Sequence, residues 1–205
     1  MSEHNPLLDF NGLPKFDQIR PEHVVPAIDY LLAQGRECVE KLATSNEAPT
    51  WQNFANPLED MEEKLGRAWS QVGHMNAVVN SPELREAYNA IQPKVSEFYS
   101  SIPLNEGLWK AIQRYAASAD GRSLTGTMLR FQTKTIDSFK RHGAELDAPG
   151  KARLKELDVA LAEVTTKFSE NVLDATNAWE LVVTEGAVRL QDGVTARRLD
   201  GNETP

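Results

Sequence analysis

The chain has 205 residues, 40% of them hydrophobic, and 22 Lys and Arg against 30 Asp and Glu, for a formal net charge of −8. That length suits one domain whose core can close without a metal or a disulfide. One cysteine, Cys38, excludes an internal disulfide framework and a cysteine-based zinc cluster. No Lys/Arg-dense stripe marks a nucleic-acid-binding face: Lys134, Lys140 and Arg141 form the closest approach and read as an ordinary solvated surface.

In chain order, residues 1–20 read as an extended arm punctuated by Pro6, Gly12 and Pro14, with Pro21 just beyond. Leu7, Leu8, Phe10, Leu13, Phe16 and Ile19 give it too many apolar groups for a free tail, so it is expected to lie along the body. The start MSEHNPLLDFNG has neither the positive nor the apolar region of a signal peptide. No apolar run approaches the ~18 residues of a membrane span, so the cytoplasm is the expected compartment.

Helical periodicity takes over from Pro21 or Glu22, where Val24, Ile28, Leu31, Cys38 and Leu42 share one stripe. Cys38 is thereby expected to be a structural thiol, since no electropositive setting that would lower its pKa is visible. Thr50 is a candidate N-cap for a short helix with Trp51 and Phe54. Pro57 opens the next, whose face carries Leu58, Met61, Leu65, Trp69, Val72 and Val79. Ser81-Pro82-Glu83 combines a capping hydroxyl, a proline at the first helical position and an acid in the first turn. The helix it starts holds Leu84, Tyr88, Ile91, Val95 and Phe98, with Pro93 as an internal kink site.

Leu108, Trp109, Ile112 and Tyr115 mark a short helix, Ala119–Ser123 a loop, and Leu124, Met128, Phe131, Thr135, Ile136 and Phe139 a further helix ended by Gly143. From near Pro149, Leu154, Leu157, Leu161, Val164, Phe168 and Val172 step by three and four without a miss. Residues 179–184, Trp-Glu-Leu-Val-Val-Thr, carry the one strand signal. The reading is thus an all-α, multi-helix domain over 1–185, followed by an irregular, glycine-dotted tail over 186–205 with no internal repeat.

Chemical motifs are missing. His4, His23, His74 and His142 form neither the H-E-x-x-H zinc helix nor the Glu-x-x-His pairs of di-iron bundles. There is no phosphate-binding glycine loop, no nucleophile elbow and no EF-hand. Glu59, Asp60, Glu62 and Glu63 read as a solvated face, His74 as a hydrogen-bonded packing histidine, and His23 as a surface or packing residue. Trp51, Trp69, Trp109 and Trp179 are expected to pack in the core, and the sequon Asn202-Glu203-Thr204 has no meaning in a cytosolic chain. No residue is assigned a catalytic, cofactor-binding or metal-ligating role.

Three stretches carry a resemblance. They are Asn5-Pro-Leu-Leu8 with Leu13-Pro-Lys-Phe-Asp-Gln-Ile-Arg-Pro-Glu-His-Val-Val-Pro-Ala-Ile28, then Asn80-Ser-Pro-Glu-Leu-Arg-Glu-Ala-Tyr88, and Phe168-Ser-Glu-Asn-Val-Leu-Asp-Ala-Thr176 with Trp179. In this order they resemble the N-terminal helical region of oligopeptidase A-like members of the thimet oligopeptidase family of zinc metallopeptidases. The likeness runs from about residue 5 to 185. It implies a helical lobe of a cytoplasmic enzyme that hydrolyses short peptides, including signal-peptide fragments, in a deep channel between two lobes. It also implies that the family's zinc, its H-E-x-x-H helix and the downstream glutamate belong to a later region, so zinc is a cofactor of the full-length family and none is expected in this chain. After Glu185 the family pattern is lost, as in an altered reading frame.

Two readings follow from the sequence. One is a non-catalytic N-terminal portion of such a peptidase, inactive alone, with the catalytic half as its partner. The other is a stand-alone helical module that binds peptides or a partner protein. A severed lobe should leave a contiguous apolar face uncovered, whereas an adapted module should carry charge there.

Overall fold

The computed structural model describes residues 5–180. The chain divides into two compact units, Met1–Ser169 and Glu170–Pro205. Among the described residues there are seven α-helices and no strand, in keeping with the all-α expectation.

In the first unit the arm is clipped down at its start. Asn5 Oδ1 accepts the Leu7 N–H at 3.0 Å and so shapes a single 3-10 turn, Pro6–Leu8, while Asn5 Nδ2 donates to the His23 carbonyl at 2.9 Å. Leu7 and Ile19 are fully buried. Arg67 donates to the Phe10 carbonyl at 3.1 Å and also to the Gly12 carbonyl, which holds the middle of the arm on the body. Leu13 and Phe16 are the exceptions, 87% and 41% exposed.

Helix α1 (Pro21–Thr44) opens on Pro21, and His23 Nδ1 accepts the Arg20 N–H at 3.0 Å. A proline at the first helical position loses nothing, because its N–H would have no partner in the helix. Thr50 Oγ1 accepts the Asn53 N–H at 3.2 Å and Asn53 Oδ1 accepts the Thr50 N–H at 2.7 Å. This reciprocal pair fixes the single wide turn Trp51–Ala55 that leads into α2 (Asn56–Val78). Ser81 Oγ caps α3 (Pro82–Leu104) through the Leu84 N–H at 3.2 Å, and Asn105 Oδ1 caps α4 (Glu106–Ala117) through the Leu108 N–H at 2.9 Å. Each such cap stabilises by about 1 kcal/mol. α3 continues through Pro93 without a break.

α1 is the central helix, packed on α2, α3 and α4. Its Val24, Ile28, Leu31, Leu32 and Leu42 meet Leu65 and Val72 of α2, Ile91, Val95 and Phe98 of α3, and Leu108 and Ile112 of α4 in one continuous apolar core. A buried side chain of this size stabilises by roughly 1.5–3 kcal/mol.

Several expectations are corrected. Residues 119–123 are not a loop but a helical turn, α5 (Ala119–Ser123), capped by Ser118 Oγ on the Gly121 N–H at 3.0 Å. Val79 lies past the end of α2 and is exposed, and Met128 of α6 (Gly126–Arg141) is also exposed, so that only Phe139 of that helix is fully buried. Gly143, at φ +90°, ends α6 as the sequence predicts. α7 (Ala148–Ala178) forms where predicted, yet it buries no residue.

In the second unit the described part is the end of α7 from Glu170, with Trp179 and Glu180 outside any regular element. Residues 181–184 of the expected strand, the boundary at 185 and the tail 186–205 lie outside the described residues, as do His4 and Asn202.

Candidate functional site

In the first unit α2, α3, α6 and α7 leave a hollow of about 580 Å³. Its polar lining includes Glu62, Tyr99, Ser138, His142 and Asp158, and no lysine or arginine is among the lining residues. Glu62 keeps solvent access but is set deep among neighbours; burial, and then the nearby Glu59 charge, push its carboxyl above the ordinary value. Burial, and then Glu62, push the Tyr99 phenol up to about 12. Both groups are therefore held toward their protonated forms by loss of water.

Ser138 and His142 meet in this hollow, with Ser138 Oγ 3.3 Å from His142 Nδ1. They are not a nucleophile and its base. The same Nδ1 lies 2.8 Å from the Ser138 carbonyl oxygen, which can only accept, so Nδ1 carries the proton and caps the end of α6. A ring nitrogen that already donates cannot remove the serine proton.

The other two described histidines, His23 and His74, are engaged elsewhere. His23 Nδ1 serves the start of α1, and the His74 ring tilts against Phe16 at 5.6 Å, as a packing residue would. Cys38 is half-buried on α1 with Sγ 3.5 Å from the Pro57 carbonyl, and burial raises its thiol pKa, so it is no activated nucleophile. Three tryptophans pack as expected: Trp69 stacks on Tyr88 at 4.7 Å, Trp109 on Phe139 at 6.0 Å, and Trp51 meets Phe131 edge-on at 5.6 Å. Trp179 departs from the expectation and is exposed.

Glu59, Asp60 and Glu63 are solvated as predicted. Glu62, the fourth member of that sequence cluster, is exposed as well, and in addition edges the hollow. Tyr99 of α3, His142 just past the end of α6 and Asp158 of α7 line the same hollow, and no local spacing announces such a grouping.

Among the described residues no donor set for zinc is brought together. No group of three or more His, Cys, Asp or Glu among the described residues could hold a metal ion, whereas a protein zinc site needs three or four such ligands. Nor is any helix of the described residues long and apolar enough to cross a membrane. Fold and site therefore define a helical lobe with an open, largely apolar hollow edged by a few polar groups, and no group of metal ligands is assembled among its described residues.

Comparison with known proteins gives the family. Residues 28–151 match the N-terminal domain of neurolysin and thimet oligopeptidase, and the chain belongs to that family. It is 40% identical over 187 residues to oligopeptidase A of Escherichia coli and 37% identical over 183 residues to that of Haemophilus influenzae. It is 32% identical over 181 residues to a probable cytosolic oligopeptidase A of Arabidopsis thaliana. The two bacterial alignments cover 89% of this chain but 27% of each relative, so the chain spans about a quarter of the length of the relatives it matches. What it matches is their N-terminal portion.

Proposed function

We propose that the chain is the non-catalytic N-terminal lobe of an oligopeptidase A-like zinc metallopeptidase, contributing wall and support to a peptide channel rather than chemistry. The observation that carries this reading is the match to 27% of each bacterial relative; that no group of three or more His, Cys, Asp or Glu placed to hold a metal occurs among the described residues is consistent with it. Transition-state stabilisation by such an enzyme needs a metal and a base, and in this reading both come from outside this lobe. The substrates of the whole enzyme would be short peptides, including signal-peptide fragments, its compartment the cytoplasm, and the partner of this lobe the catalytic portion that follows in the relatives.

A free-standing binding module is disfavoured by α7. Its solvent face in the first unit carries Leu157, Leu161, Val164 and Phe168, with no charge in the stripe itself. Equilibrium dialysis against zinc tests the reading: the purified chain should retain no stoichiometric metal, and one tightly held zinc per chain would contradict it.

A further inference from the structure

The groups that edge the hollow of the first unit are one-sided in charge. Glu62 comes from α2 and Asp158 from α7, and no lysine or arginine is among the lining residues. Several cations of the adjoining helices are engaged with other acids. Lys140 of α6 lies 3.6 Å from Glu145, Lys151 of α7 lies 3.6 Å from Glu106, and Lys155 lies 2.8 Å from Glu97. Glu62 and Asp158 take part in no ion pair among the described residues. The Glu59 charge beside Glu62 adds to the negative excess.

The uncharged groups favour the same kind of ligand. His142 Nδ1 gives its proton to the Ser138 carbonyl at 2.8 Å, which leaves Nε2 of the neutral ring as an acceptor. Thr165 Oγ1 donates to the Leu161 carbonyl at 2.9 Å, so its hydroxyl also has only lone pairs left to offer. Tyr99 stays a neutral phenol and supplies an aromatic wall. Ile102, Pro103, Phe139, Leu161 and Ala162 make the rest of the lining apolar. An anion would meet two carboxylates here, and a wholly apolar ligand would leave the acceptors idle. A positive group on an aliphatic stem satisfies both parts of the lining. Its three diverging N–H donors suit an ammonium to acceptors that come from different helices, whereas the planar fork of a guanidinium suits a single carboxylate.

We propose that the hollow binds a primary ammonium group carried on an aliphatic stem, with Glu62 and Asp158 as its charge partners and Phe139 and Leu161 against the stem. The volume of about 580 Å³ falls within the roughly 300–1,000 Å³ of small-ligand sites. Such a group comes as the lysine side chain of a peptide or as a free aliphatic amine. The proposal does not rest on the peptidase reading: a chain that holds no amine can still be a lobe, and a chain that cleaves nothing can still hold one.

A nuclear magnetic resonance titration of the full 205-residue chain tests it, with cadaverine in one arm and a blocked glycyl-lysyl-glycine peptide in the other. Saturable shifts of the amides that line the hollow are expected, with a dissociation constant on the order of 1 mM, because open ion pairs contribute little each. Whichever arm binds more tightly identifies the source of the ammonium. Pentanol and the norleucine version of the peptide, which keep the stem without the charge, should bind about tenfold more weakly. Glu62→Gln and Asp158→Asn keep the shape of each side chain, so the circular dichroism spectrum should not change. Each should weaken ammonium binding about threefold, and the two together should abolish saturation. No saturable shift with either amine, equal binding of the uncharged counterparts, or undiminished binding by the double variant would each overturn the proposal.

Discussion

The ring of Phe98 lies directly against the backbone of Gly35, where an added Cβ would come within 2.6 Å of Cζ. α1 and α3 therefore meet as closely as a glycine allows, and Phe98 is buried in the core. Gly35→Ala should destabilise the chain by about 1–3 kcal/mol through overpacking, although alanine is the better helix former. Chemical unfolding measures this, and an unchanged midpoint would show that the helices can part.

Asp120 joins distant parts of the first unit. Its Oδ2 accepts the Trp51 N–H at 2.8 Å and the Tyr115 hydroxyl at 3.3 Å. Burial, and then the Asp120 charge, push the Tyr115 phenol up to about 12. Asp120→Ala should cost about 1–3 kcal/mol, since it orphans a backbone donor and a buried hydroxyl together. It should also lower the tyrosine titration midpoint seen in ultraviolet absorbance, while burial keeps that midpoint above the ordinary value.

Gln71 should behave in the opposite way. It is buried on α2, its Nε2 donates to the Arg67 carbonyl at 3.2 Å, and its Oε1 has no partner among the described residues. Gln71→Met keeps the length of the side chain and removes the orphaned acceptor, which should raise stability by about 1 kcal/mol. A loss of stability on thermal unfolding would mean that the oxygen is satisfied.

Glu62 gives the hollow a pH signature. Its folded pKa is raised above the ordinary 4.5, so the folded chain binds this proton more tightly than the unfolded one. Its effect is most favourable below 4.5 and is lost as pH rises through the folded value. Glu62→Gln should therefore stabilise at pH 7 and give progressively less benefit in acid, in paired thermal melts. A benefit that grows on acidification would contradict the assignment.

Much of the first unit was legible in the residues. Ser81 and Thr50 cap where predicted, because a short hydroxyl before a proline or an apolar run has few other local roles. α1 and α3 have the right faces, because their stripes meet other stripes of this same unit. The turn 119–123 was missed because it is one turn long and carries Gly121, whose buried Cα lies so near the Tyr115 carbonyl that a Cβ would fall 2.2 Å from the oxygen. Packing chose that glycine, and local propensity does not show it. α7 exposes a deeper limit: Leu157, Leu161, Val164 and Phe168 announce a helix with an apolar face, but periodicity does not say what covers the face. The hollow around Glu62 was illegible because it exists only after four helices have assembled.

On the proposed reading this chain carries the lobe but not the chemistry of its relatives. Hydrolysis of an internally quenched fluorescent oligopeptide by the purified chain, with added zinc and with a chelator, tests it most directly. No cleavage above background in either condition is the predicted result. Zinc-dependent cleavage abolished by the chelator would contradict it, and would place a metal site where the described residues offer no ligands.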